Sequence, residues 1–166
     1  MTWVMTLASY GQAEKQFPED YFGIYKGDLK IYNSAGEQTI GMEFHLKPTD
    51  SMDIYEYKIV YIMDDQPQPR NYTLRVKDRD KGEFVVDENN GIFLDAKWVG
   101  NCLFSLFEVQ GNLLTTTEAF FDDHMLFEIT FANKASVNTS GTEGDNAVEV
   151  LSYPITTVQS ARLEKQ

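Results

Sequence analysis

Two glutamates carry the clearest prospect of chemistry. Glu108 and Glu118 each interrupt a segment that is otherwise apolar or threonine-rich, 102–110 and 113–121. Turned inward, either carboxyl group would be desolvated and its pKa raised, which suits ligand binding or proton transfer. Turned outward, it is an ordinary surface charge. Alternation does not choose: Phe104 and Leu106 share a face with Glu108, but Leu103, Phe107 and Val109 form an equally apolar opposite face. Tyrosines are the second candidate group. Tyr25, Tyr55, Tyr57, Tyr61 and Tyr72 crowd the first half of the chain. An aromatic body with a hydroxyl tip suits the lining of a mixed apolar and polar cavity, and it equally well fills a packed interior. The candidate ligand-lining set is Tyr25, Phe44, Tyr57, Tyr61, Tyr72, Glu108, Thr115, Thr117 and Phe127.

Other reactive side chains give less. His45 falls on the polar face of its segment, which disfavours a buried catalytic base. Cys102 follows a Gly-Asn turn and reads as a small core residue; as the one cysteine it excludes an intrachain disulfide and a Cys-rich zinc site. Asp78-x-Asp80-x-Gly82 resembles the first half of a calcium loop, but Asn89 stands where the twelfth-position glutamate belongs, so it reads as a solvated acidic turn. No nucleophile elbow, phosphate-binding glycine loop or His-x-x-x-His spacing occurs. No catalytic residue and no metal ligand is assigned.

The chain has 166 residues and a formal net charge of −12. That charge opposes binding to nucleic acid, which needs clustered Lys and Arg. With 42 % hydrophobic residues and 13 % aromatics, the chain can bury a core, and its length suits one domain. No apolar run is long enough for a membrane span. Residues 1–21 stand apart. Met1–Ser9 is apolar and uncharged, and Gly11-Gln12-Ala13 carries small residues where a signal peptidase cuts. This segment reads as a signal-peptide remnant, hence a secreted or periplasmic protein, or as an arm packing Trp3 and Leu7 on a cytoplasmic one.

From Phe22 to the end, period-2 alternation and turn residues predict a single all-β domain, residues 22–166. Ile40, Met42, Phe44 and Leu46 face one way while Thr39, Glu43, His45 and Lys47 face the other. Further strands are predicted over 23–32, 54–63, 70–77, 83–87, 92–99, 102–110, 113–121, 125–132 and 149–164. Between them, 64–69 reads as a loop whose two prolines stop pairing, and 133–147 as a long polar loop. About ten strands with hairpin-length connections predict an antiparallel up-and-down meander barrel, since closure removes sheet edges.

The order of elements resembles the calycin superfamily, the lipocalins, fatty-acid-binding proteins and their relatives. The local match is Phe22-Gly23-Ile24-Tyr25-Lys26-Gly27, with Tyr25 where the lipocalin Gly-x-Trp signature has Trp. The resemblance implies a barrel holding a small hydrophobic or amphipathic ligand. Its haem-binding branch implies His124 as an iron ligand. The parity of His124, opposite Phe127 and Ile129, and its place beside Asp122-Asp123 read instead as a solvated turn, so no cofactor is expected. Three functions follow, in order: a ligand-holding barrel; a filled barrel that binds partners at its rim or through 133–147; and an enzyme using Glu108 or Glu118 with a tyrosine or Arg75.

Overall fold

The computed structural model describes residues 15–166; the apolar run and small-residue site within Met1–Ala13, with Trp3 and Leu7, lie outside the described residues. Alternation drives the chain into strands, and each strand finds its neighbour through a short turn. The strands are β1 (Gly23–Asn33), β2 (Gly36–Pro48), β3 (Ile54–Met63), β4 (Gln66–Asp78), β5 (Glu83–Asp87) and β6 (Phe93–Val99). They continue as β7 (Cys102–Val109), β8 (Asn112–Phe120), β9 (His124–Asn133), β10 (Asn138–Gly141), β11 (Glu149–Ser152) and β12 (Ile155–Lys165). β1 to β9 and β12 form a closed antiparallel up-and-down barrel, sealed where β12 pairs with both β9 and β1. No described helix is long and apolar enough to cross a membrane.

Three departures from the sequence expectation have physical reasons. The segment 133–147 is not all loop: β10 and β11 pair as a separate two-stranded sheet, every residue of which is exposed. The strand expected over 149–164 is therefore two, β11 and β12, broken at Tyr153-Pro154. Pro67 and Pro69 do not stop pairing; they lie in β4 opposite Ile62 and Val60. A proline is tolerated there because that half of β4 has β3 on one side and no strand on the other, so no N–H is missed.

Tyr25, Leu29, Met42, Phe44, Leu46, Leu74, Phe127 and Leu163 form the inward set and are almost fully buried. β1 lies close to β12: a Cβ on Gly27 would collide with the Arg162 carbonyl, so only glycine fits there. One end of the barrel is plugged. A short 3-10 turn, Glu19–Tyr21, and Phe17 before it enter the barrel, where Phe17 stacks on Trp98 at 3.9 Å and meets Phe84 edge-on at 5.2 Å. Tyr25 donates from Oη to the Tyr21 carbonyl at 2.6 Å. Arg79, in the β4–β5 turn, clamps the plug by bonding Glu19, Asp53, the Tyr55 hydroxyl and the Phe17 carbonyl.

The other end is open and uneven. β5 pairs only with Thr73–Asp78 of β4, leaving Gln66–Tyr72 without a partner on that side. β6 and β7 pair only from Ala96–Ser105 to Val99–Cys102, so Phe93–Asp95 and Leu106–Val109 diverge. The wall is thus low along β5 and β6. At about 3.4 Å per residue, the five-residue β5 spans roughly two-fifths of the length of the thirteen-residue β4.

Candidate ligand site

A cavity of about 120 Å³ lies inside the barrel beneath this low wall. β3 supplies Tyr57, Ile59 and Tyr61; β4 supplies Tyr72; β7 supplies Ser105 and Phe107; β8 supplies Thr116 and Glu118; β9 supplies Phe127 and Ile129. Val86, Glu88 and Leu94 line its side toward the low wall. The cavity is smaller than the few hundred cubic ångströms of a typical drug-sized pocket. It is also a little below the size of an apolar cavity that holds benzene, about 150 Å³, which limits the occupant to about one ring.

Glu118 is the one buried carboxyl group within it, 2 % exposed. Its side faces inward because it shares parity with Leu114, Thr116 and Phe120 and lies in register between Leu103 of β7 and Phe127 of β9. Tyr57, across the barrel, donates its hydroxyl hydrogen to Glu118 Oε1 in a short contact. Tyr57 is itself held edge-on to Phe44, at 4.9 Å. Among the described residues no fully buried side-chain nitrogen or oxygen lacks a partner, so the second oxygen of Glu118 meets the cavity and not sealed packing. Burial pushes the Glu118 pKa up to about 7, with the Tyr57 hydrogen bond opposing part of the rise. Burial and the neighbouring carboxyl group hold the Tyr57 hydroxyl well above the usual range. Tyr61 is pushed up to about 12, chiefly by burial.

The expected site residues divide into three groups. Tyr57, Tyr61, Tyr72 and Phe127 line the cavity. Tyr25 and Phe44 face inward but are packed solid, and neither reaches the cavity. Glu108, Thr115 and Thr117 are corrections, for they lie on the outer face. Glu108 pairs with Lys134 at 2.6 Å, and Thr115 shares a hydroxyl contact with Thr130 at 2.5 Å. Their parity opposes that of Phe107 and Thr116, which face inward. Arg75 also points outward, to Asp87 at 2.8 Å, so the set of Glu108, Glu118 and Arg75 does not converge in one pocket. Ser105, Phe107 and Thr116 were missed, because β7 is apolar on both faces and β8 offers three threonines in a row.

The remaining candidates lie elsewhere. His124 stacks on Phe121 at 4.4 Å and bonds Asp123 at 2.6 Å, outside the cavity; it offers the interior no iron ligand. His45 is on the outer face as expected, yet only 9 % exposed, between Glu43 and Glu56. Cys102 is half-buried, and burial pushes its thiol pKa up, the opposite of an activated nucleophile. Among the described residues no group of three or more His, Cys, Asp and Glu side chains could hold a metal ion.

At the open end a second hollow of about 300 Å³, lined by Leu29, Ile40, Met63, Gln68, Arg70 and Gln159 among others, meets the cavity at Tyr61 and Ile129. Another hollow, about 670 Å³, opens where β6 and β7 part; Lys77, Lys97 and Phe104 line its outer side, and it shares Ser105 and Thr116 with the cavity. The fold and site together define a closed ten-stranded meander barrel, plugged at one end, with a buried carboxyl–tyrosine pair in a small internal cavity. No protein-family model, curated protein or solved structure matches the chain.

Proposed function

We propose that the protein holds a small, mainly apolar ligand inside its barrel, in the manner of the calycins. One observation carries this: the interior is not filled, and its remaining space is bounded by aromatic and aliphatic side chains around a single buried polar pair, Glu118 and Tyr57. Sites for small ligands have this composition, apolar walls with few placed polar groups. The low wall supports the same reading, since it gives a route beside Tyr72, Glu88, Leu94 and Phe107 that needs no broken strand pairing. The test is a titration with toluene followed by amide NMR shifts. Saturable shifts at Phe107, Thr116 and Phe127 are expected, and Ser105→Phe, which fills the space, should abolish them. Shifts that are absent in the native chain, or that survive Ser105→Phe, would sink the proposal.

A second function, association with another copy of the chain, is favoured by the outer face of β7. Phe104 and Leu106, two residues apart on β7, are 42 % and 65 % exposed there. Neighbouring exposed apolar side chains mark association surfaces. Light scattering of the native chain against Phe104→Ser/Leu106→Ser checks it. A larger native particle that the double variant reduces to monomer would support association; two identical monomers would end it.

A further inference from the structure

We propose that the cavity takes an amine: a small aromatic or short-chain primary amine, its nitrogen between the Glu118 carboxyl group and the tyrosine rings. This rests on the internal-ligand reading above and specifies its chemistry. The first observation is the charge of the lining. Its two ionisable carboxyl groups are Glu118 and Glu88, and it contains no Lys, Arg or His. A carboxylate ligand would meet like charge there, while an ammonium would meet opposite charge.

The second observation is the direction of the hydrogen bonds. Tyr57 spends its hydrogen on Glu118 Oε1, so the second oxygen of that carboxyl group is open to a donor from the cavity. An amine brings up to three donors, whereas an ether, ketone or ionised carboxylate brings none. The third observation is the aromatic surround of Tyr57, Tyr61, Tyr72, Phe107 and Phe127. Ring faces attract cations, most strongly where water is excluded. Glu118 is poised near neutrality while buried alone; a cation beside it would favour its ionised form. The volume limits the apolar body to about one ring. Arg70, Lys77 and Lys97 are the competing charges, but they line the two adjoining hollows and none of them lines the inner cavity.

Toluene, benzylamine, benzyl alcohol and benzoate share one ring and differ in the head group, so their dissociation constants at a single pH decide the matter. Benzylamine is expected to bind at least about tenfold tighter than benzyl alcohol and benzoate, the size of one charge-assisted hydrogen bond. Glu118→Gln, a near-isosteric change, should bring benzylamine to within about threefold of benzyl alcohol and leave toluene unchanged. Benzoate equal to or tighter than benzylamine would overturn the proposal in favour of the cations of the adjoining hollows. A preference for benzylamine that survives Glu118→Gln would overturn it too. If toluene binds without any preference for the amine, the internal site stands and the amine falls; if none of the four binds, both fall. The order of the four ligands on the unaltered chain decides the matter even where the variant fails to fold.

Discussion

Glu118 ties stability to pH. Its pKa rises from an ordinary 4.5 to about 7 on folding, so between these values the native chain holds a proton that the unfolded chain has lost. Stability must therefore fall as pH rises through that window, by about 3 kcal/mol if Glu118 acts alone. The contribution is fully present below pH 4.5 and gone above about pH 7. Urea unfolding at pH 5 and pH 8 checks this: the native chain should lose stability between them, and Glu118→Gln should lose much less. Equal losses in both would show that Glu118 does not titrate in the window. Sequence alternation narrowed this residue to one of two glutamates and stopped there, since Glu108 sits in a strand apolar on both faces. Register resolves it. Phe127 and Leu103 are both buried, and Glu118 lies directly between them, so their face is its face. Cross-strand register is not written in any one segment, so the sequence alone does not separate inward Thr116 from outward Thr115 and Thr117.

At the level of elements, hairpins were legible because their signals are local: Gly-Asn at 100–101 and 111–112 and Asn-Ser-Ala-Gly at 33–36, with alternation resuming on either side. Pairing extent was not legible, because it depends on two strands at once. The prolines show this. Read within their own segment they argue against a strand; beside a five-residue neighbour too short to reach them they are harmless. The same mismatch makes the low wall, which predicts uneven amide exchange. Amides of Phe93–Asp95 and Leu106–Val109 that point across the gap lack an inter-strand acceptor there and should exchange much faster than paired amides of Leu103 to Phe104 or of β8. Uniform protection along β7 would mean that the gap closes in solution and that the route to the cavity lies at the open end alone.

The whole molecule separates what closes the barrel from what decorates it. β12 is the closing strand: it pairs along its length with β1 and β9 and buries Ala161 and Leu163. β10 and β11, inserted just before it, are exposed throughout and pair only with each other. Ile155 at the start of β12 lies opposite Ala132 near the end of β9, so the two barrel strands are neighbours where the insertion leaves and returns. A short turn could join them. Replacing residues 137–152 by a Gly/Ser linker should therefore shift Tm by less than about 3 °C, the scale of change expected where no buried contact is lost. Ending the chain before Ile155 should instead remove cooperative unfolding, because β1 and β9 would both become edges and the buried residues of β12 would be lost. Thermal unfolding of the two variants by circular dichroism measures both outcomes. Toluene titration of the linker variant then separates the functions. An unchanged internal site and unchanged self-association would keep ligand binding inside the barrel and association on the outer face of β7, whereas loss of self-association would move that role to the insertion. Loss of the internal site would mean that the insertion shapes the cavity from outside, although none of its residues lines it.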